Sequence, residues 1–175
     1  MARNIEIKAH IESFAAFSRK VSVLTAGGPV EITQDDTFFR CDSGRLKLRT
    51  FSEDRGELIF YKRDDQNGPK ESFYLISPTS SPKALRELLA QSNGQIGRVE
   101  KKRTLFLFGR TRIHLDRVKD LGDFIELEVV LQDGEPAEVG IAEAHAVMDQ
   151  LGIDSSRLIE GAYIDLLTIA INKGC

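Results

Sequence analysis

Residues 110–131, RTRIHLDRVKDLGDFIELEVVL, alternate between apolar and charged side chains in two runs separated by a short polar segment. A period of two predicts strands, each with an apolar face and an ionic face. Gly122, between the runs, tolerates positive φ, which predicts a tight turn and therefore a β-hairpin. The ionic face of this hairpin carries Arg112, His114, Asp116, Glu126 and Glu128. Such a face is either solvated surface or part of a site.

The two-residue period recurs in several segments before the hairpin, and stretches of helical spacing occur both before and after it. The predicted strands cover residues 3–11, 30–40, 45–51, 57–63, 71–76 and 97–108, and the predicted helices cover 12–24, 82–93, 136–151 and 157–171. Turn signals join neighbouring strands, which favours antiparallel pairing. Because no repeat and no long linker divides the chain, residues 1–175 are interpreted as a single domain.

The composition excludes several classes of protein. The 175 residues include 24 basic and 27 acidic side chains, for a formal net charge of −3. This near balance argues against a nucleic-acid partner, for which a basic excess is typical. The sequence also lacks an N-terminal apolar segment and any run of about 18 apolar residues, so it predicts a cytoplasmic protein without a membrane partner.

Ionic faces appear on several predicted strands. They carry Glu6 with Lys8, Lys47 with Arg49, Tyr61 with Arg63, and Lys101 with Arg103, besides the hairpin residues. Lys101 is preferred to Lys102 because it shares the parity of Arg103. An open sheet would expose these faces to water, whereas a closed barrel would place them inside and pack its apolar outer faces against helices. Basic pairs on several strands and carboxylates on the first and last favour closure.

The mixture of charges predicts a particular ligand chemistry. Clustered basic side chains repel one another unless an anion lies among them, and arginine binds phosphate through bidentate contacts. Carboxylates in the same cavity would repel phosphate unless a hard cation such as Mg²⁺ bridged the two. Basic residues for phosphates and acidic residues for metal are typical of phosphoryl-transfer sites.

The combination of these segments resembles the CYTH, or triphosphate tunnel metalloenzyme, superfamily. The similarity comprises NIEIK at 4–8, close to the family's E-x-E-x-K strand, LKLR at 46–49, FYKR at 60–63, KKR at 101–103 and the LD to GDFIELE segment at 115–128. The resemblance implies an α+β fold: a closed eight-stranded antiparallel barrel, open as a tunnel, with helices outside. Its members include class IV adenylyl cyclases, thiamine triphosphatases and inorganic tripolyphosphatases.

The resemblance also implies roles for individual residues. Mg²⁺ or Mn²⁺ would lie near Glu6, Asp116, Glu126 and Glu128. Phosphates would contact Lys8, Lys47, Arg49, Arg63, Lys101, Arg103 and Arg112, with Glu6 and Lys8 as catalytic residues. The implied substrate is a small triphosphate: tripolyphosphate, ATP or thiamine triphosphate. Asn4 stands where the family usually has its first Glu, and a neutral amide offers an oxygen ligand without charge.

Four interpretations are compatible with these residues. The favoured one is metal-dependent hydrolysis of a triphosphate. In the class IV cyclases of the resembled family a His-Phe pair precedes the strand motif, and that pair is absent before Asn4. The alternative enzyme is a class IV adenylyl cyclase that forms cyclic AMP and pyrophosphate. A non-enzymatic alternative is a module that binds a polyphosphate or nucleotide without turning it over. An interaction domain whose ionic sheet faces water is the least favoured interpretation. His114 is either a structural residue or an acid or base. The sequence permits a homodimer without requiring one.

Overall fold

A computed structural model describes residues 2–63 and 68–173. Its strands are β1 (Ala2–His10), β2 (Val30–Phe39), β3 (Arg45–Thr50), β4 (Gly56–Arg63), β5 (Lys70–Thr79), β6 (Gln95–Phe108), β7 (Thr111–Val118) and β8 (Gly122–Val130). Every neighbouring pair is antiparallel, and the strands close in the order β1-β5-β4-β3-β2-β6-β7-β8. The predicted α+β fold with a closed eight-stranded barrel is confirmed.

The hairpin of β7 and β8 forms as its alternation predicts. Its turn uses two positive φ angles, 65° at Asp120 and 108° at Gly122. The register places Arg112 opposite Glu128 and His114 opposite Glu126, while β1 lies on the other side of β8 with Glu6 opposite Glu128. Because all these residues share one parity, the hairpin presents its ionic face to the same side as β1.

Helices cover much of the outer surface of the barrel. They are α1 (Phe14–Leu24), α2 (Pro82–Ser92), α3 (Ala137–Leu151) and α4 (Tyr163–Lys173). The apolar residues of β1, β7 and β8, including Ile7, Ile113 and Leu127, form a buried cluster with Val21 of α1 and Leu151 of α3. Burial of this apolar surface drives the helices onto the barrel and leaves the ionic faces of the strands pointing inward.

None of the helices in the described part of the chain combines the length and the apolar character that crossing a bilayer requires. The longest of them, α3, has 15 residues.

The packing of α3 on the barrel is close, because a Cβ at Gly140 would lie 2.6 Å from Leu131 Cδ2 and 2.7 Å from Ile5 Cγ1. The absence of a side chain at Gly140 therefore sets how near α3 approaches β1.

The segment that precedes α4 differs from the helix predicted over 157–171. Among the described residues, the pairing of β1 with β5 ends at Glu6 and Lys70. Further along β1 the chain forms a bridge between Ala9 and Leu158, with Ile159 N donating to Lys8 O at 2.9 Å. Gly161 then takes a φ of 78°, and helix begins only at Tyr163. Backbone pairing to the barrel overrides helical spacing in this segment.

One end of the barrel is filled by residues at the start of α4. Ala162, Tyr163 and Ile164 at the start of α4 form a buried cluster with inward-facing residues of the strands, among them Phe38 and Phe124. The packing is tight, because a Cβ at Gly97 would lie 2.3 Å from Ile164 Cδ1. The interior of the barrel is therefore apolar at this end and ionic beyond it.

Candidate active site

The ionic faces of the strands enclose a cavity of about 300 Å³ inside the barrel. Ten of the residues expected at the site line it: Glu6, Lys8, Lys47, Arg49, Arg63, Lys101, Arg103, Arg112, Glu126 and Glu128. Lys101 and Arg103 are buried inside, whereas Lys102 between them is exposed outside, as the parity predicts. The charged faces therefore meet one another across a cavity and not across bulk water.

Asp116 is the one predicted site residue that does not line this cavity. It is 0% exposed and accepts hydrogen bonds from Lys101 Nζ at 3.1 Å, from Arg103 Nε at 2.7 Å and Nη2 at 2.6 Å, and from the Tyr163 hydroxyl at 3.0 Å. Burial alone would raise the pKa of Asp116, but Arg103 and Lys101 outweigh it and lower that pKa to about 2. Asp116 therefore stays ionised and fixes the two basic side chains in front of it.

Asp36 on β2 makes an equivalent anchor on the opposite wall. Its carboxylate accepts two hydrogen bonds from Arg49 and one from Lys47, all at 2.8 Å. Burial would raise the pKa of Asp36, but Arg49 and Lys47 hold it well below its usual range. A bidentate contact of this kind fixes the plane of the Arg49 guanidinium as well as its position.

The carboxylates of β1 and β8 are each paired with a basic side chain. Glu6 Oε2 accepts from Arg63 Nη1 at 2.9 Å, Glu126 contacts Arg103 and lies 3.4 Å from Lys8 Nζ, and Glu128 Oε2 lies 3.2 Å from His114 Nε2. Burial would raise the pKa of Glu128, but His114 and Arg103 lower it to about 2. Burial would also raise the pKa of Glu126, but Arg103 holds it well below its usual range, so Glu126 and Glu128 are ionised. All three carboxylates are available to a metal only if they exchange partners.

Positive charge exceeds negative charge inside the barrel, although the whole chain carries a net charge of −3. Within the described ranges seven basic side chains and four carboxylates line the cavity, an excess of three. The basic residues are Lys8, Lys47, Arg49, Arg63, Lys101, Arg103 and Arg112, and the acidic residues are Glu6, Asp36, Glu126 and Glu128. A polyanion is the ligand that this imbalance favours.

Three residues of the site were not found by sequence reasoning. Asp36 was assigned only to a strand, because the inward side of β2 mixes Ile32 and Phe38 with polar residues and shows no ionic alternation. Tyr163 was assigned to the apolar face of a helix, and Lys70 follows a polar stretch of the sequence, most of which lies outside the described residues. Parity with Ser72 and Tyr74 was the one signal that pointed Lys70 inward. No sequence spacing indicates that Asp36 lies opposite Arg49.

The side chains around Glu6 fit a hard divalent cation in their chemistry. Asn4 Oδ1 is buried and has no hydrogen-bond partner in the described part of the chain. Asn4 and Glu6 face the cavity from β1, opposite the Glu128 end of β8. Carboxylate and amide oxygens are ligands that Mg²⁺ and Mn²⁺ accept. Among the described residues, however, no three acidic, histidine or cysteine side chains converge closely enough to hold a metal ion.

Of the two basic residues that Asp36 holds, Lys47 is the one whose charge is more sensitive to pH. Burial, followed by the charge of Arg49 and the more distant Lys101, lowers the pKa of Lys47 to about 8, against the opposing effect of Asp36. The Tyr61 ring also lies 5.6 Å from Lys47 Nζ. The ammonium group is therefore charged below pH 8 and loses its charge as the pH rises through that value.

We expect the affinity for tripolyphosphate, measured by calorimetry without metal, to fall above pH 8, by up to about tenfold per pH unit for each lysine whose charge is needed. The expected change has this sign because neutral lysine attracts phosphate less. In Lys47→Arg the guanidinium stays charged, so the decline should become shallower. Identical pH profiles for Lys47→Arg and the unmodified protein would show that Lys47 does not contribute.

Comparisons with known proteins agree with this geometry. The CYTH domain family model matches residues 2–163. Among solved structures, a Pyrococcus horikoshii OT3 protein has a TM-score of 0.84 at 23% identity over 93% of this chain and 98% of its own. A candidate adenylate cyclase from Vibrio parahaemolyticus has a TM-score of 0.73 at 18% identity over 94% of this chain and 97% of its own.

A third solved structure is a candidate adenylyl cyclase from Hippeastrum, described as having a dominant triphosphatase activity. It has a TM-score of 0.62 at 15% identity, covering 91% of each chain. A search of curated proteins found no significant match. At such identities structural likeness establishes the fold, whereas the family model establishes membership. This chain, with its ionic barrel interior and its match over residues 2–163, belongs to the CYTH domain family.

Proposed function

We propose that this protein is a divalent-metal-dependent enzyme that hydrolyses a triphosphate within the barrel. The observation that carries the proposal is the excess of three positive charges in a cavity that also contains ionised carboxylates. The CYTH family comprises triphosphatases and adenylyl cyclases, and the Hippeastrum relative combines both descriptions.

The basic side chains that bind phosphate are those held in place by two buried carboxylates. Asp36 orients Lys47 and Arg49, and Asp116 orients Lys101 and Arg103. Since Asp116 is fully enclosed by these partners and Tyr163, we assign it to positioning and not to the metal site. Preorganised cations stabilise the charge of a phosphoryl group without reorganising during the reaction.

Arg63 supports a further phosphate contact. Its Nη1 donates to Glu6, but its Nε and Nη2 atoms are buried without a hydrogen-bond partner in the described ranges. A buried guanidinium with unpaired donors is costly, and a phosphate oxygen would satisfy them. Arg112 is more exposed and lies 3.6 Å from Glu128, so it would meet the substrate nearer the rim.

The proposed metal ligands are Glu6, Glu126 and Glu128, with Asn4 supplying a neutral oxygen. A bound Mg²⁺ or Mn²⁺ would neutralise phosphate charge. When phosphates take over Arg63 and Arg103, the carboxylates that these arginines now hold become free. Glu6 would then orient the attacking water, and Lys8 would stabilise the negative charge of the phosphate that leaves.

The direct test is incubation with tripolyphosphate, ATP and thiamine triphosphate in the presence of Mg²⁺ or Mn²⁺. We expect release of inorganic phosphate from at least one of them and no release after chelation of the metal. Formation of cyclic AMP from ATP would favour the cyclase instead. Binding of tripolyphosphate without turnover of any substrate would leave a binding module.

The Asn4→Glu variant tests the metal site without relying on activity. The new carboxylate adds charge to an oxygen ligand position, so we expect the affinity for Mn²⁺, followed by electron paramagnetic resonance, to rise by about tenfold. Asn4→Gln, which changes length but not charge, is the matched control and should not strengthen binding. Unchanged Mn²⁺ affinity in Asn4→Glu would place the metal away from β1.

A further inference from the structure

The side chain of Tyr163 enters the barrel from outside the eight strands. It is the first residue of α4, it is 5% exposed, and its ring packs edge-on against Phe124 with 5.0 Å between centroids. The segment before it is fixed to β1 by the Ala9–Leu158 bridge. Backbone pairing and burial therefore hold the Tyr163 ring at the filled end of the barrel, directly below the ionic cavity.

Two basic side chains of the cavity lie against this ring. Lys8 Nζ is 3.9 Å from the ring centroid, and Lys101 Nζ is 4.9 Å from it. Both distances are within the range in which the negative face of an aromatic ring attracts an ammonium group. Lys8 Nζ also donates to Gly161 O at 3.2 Å, so the segment 161–163 engages Lys8 twice.

The hydroxyl of Tyr163 reaches a third element of the site. It donates to Asp116 Oδ2 at 3.0 Å, and Asp116 in turn holds Arg103 and Lys101. One side chain from α4 therefore contacts Lys8 and Lys101 directly and reaches Arg103 through Asp116. Neither sequence parity nor any strand alternation indicates such a role.

We propose that Tyr163 is a positioning residue for the phosphate site, holding the ammonium groups of Lys8 and Lys101 over its ring so that both point into the cavity. The inference rests on the proposed triphosphate function. The ring lies behind the lysines, on the filled side of the barrel, so a phosphate approaching from the cavity leaves the ring contacts intact. Because the ring already holds the two ammonium groups before phosphate binds, less side-chain conformational entropy is lost on binding.

Fluorinated phenylalanines at position 163 separate this role from packing. Tyr163→Phe keeps the ring and removes the hydroxyl, and should raise the Kd of tripolyphosphate by about threefold. Successive fluorine atoms withdraw electron density from the ring face with little change in shape. We expect the Kd to rise with each fluorine, by about threefold to tenfold in total, at a constant melting temperature.

Phe124 supplies the matched control, because it packs against Tyr163 and, in the described part of the chain, neither a lysine nor an arginine lies over its ring. The same fluorinated series at position 124 should leave the Kd unchanged. A flat series at position 163, or equal slopes at both positions, would overturn the inference while leaving the proposed function intact. Failure of the unmodified protein to bind tripolyphosphate, ATP and thiamine triphosphate would overturn both.

Discussion

Replacing Arg103 by Met is expected to cost about 3–5 kcal/mol of folding stability and at least about a hundredfold in kcat/KM. Arg103 is the cation that Asp116 and Glu126 share, and Asp116 is entirely buried. Methionine keeps much of the side-chain volume but leaves two carboxylates in the barrel without their main partner. Thermal unfolding should show the first loss, and initial rates with the preferred triphosphate should show the second.

Arg98→Met is the control for removal of an arginine as such. Arg98 also makes two short hydrogen bonds to a carboxylate, that of Asp35, but on the outside of the barrel, where its side chain is 50% exposed. Exposed ion pairs contribute at most about 1 kcal/mol, so Arg98→Met should be mild and fully active. Equal losses in both variants would contradict the distinction between the inner and outer pairs.

The pH dependence of Arg103→Met provides a second check. Without Arg103, burial of Asp116 dominates and should raise its pKa, so that protonation relieves part of the cost as the pH falls. The stability difference between Arg103→Met and the unmodified protein should therefore shrink under mildly acidic conditions. Adding Asp116→Asn to Arg103→Met should restore part of the lost stability at neutral pH, since it removes the buried charge.

The second large effect is that Glu126→Gln and Arg49→Ala should impair different steps: Glu126→Gln should impair metal-dependent activity, and Arg49→Ala should impair phosphate binding. Glu126→Gln removes a proposed metal ligand, so metal-dependent activity should fall by about a hundredfold. The affinity for tripolyphosphate without metal should be unchanged or higher, because a negative charge leaves the cavity. Arg49→Ala removes a phosphate contact and should weaken that affinity by about tenfold or more, with little change in the metal concentration needed for half-maximal activity.

Calorimetry for tripolyphosphate and titration of activity with Mn²⁺ distinguish these responses. Glu126→Gln should shift the Mn²⁺ titration to higher concentration, and Arg49→Ala should shift the tripolyphosphate titration. The structure explains why Arg49 suits this comparison: its partner Asp36 keeps Lys47 after the substitution. Equal shifts of both variants in the Mn²⁺ titration would contradict the separate roles of the two walls.

The strands were predictable because alternation is a local property. The closed barrel was predicted from the distribution of charges over several strands and from the family resemblance. In β7 and β8 the residues facing the cavity and those facing the helices are separated by a period of two, and a strand can bury only one parity against α1 and α3. The same argument correctly selected Lys101 over Lys102. Helices α1, α2 and α3 were predictable from their spacing and their terminal Gly or Pro residues.

The late start of α4 was not predictable, because it depends on backbone pairing between Leu158 and the distant strand β1. The segment at Leu158 is drawn into an extended conformation by backbone hydrogen bonds to a strand about 150 residues away in the sequence. Helical spacing in residues 157–171 competes with this pairing and loses, since backbone groups at a strand edge need partners.

The sequence by itself determined which charged side chains share a face of each strand, because parity decides which face a residue occupies. Only the tertiary structure decided which charges meet. Asp116 is enclosed by Lys101, Arg103 and Tyr163, and Asp36 joins Arg49, through the register and closure of strands that are distant in the sequence. Parity is a property of a single strand, whereas a contact across a barrel depends on all eight strands at once.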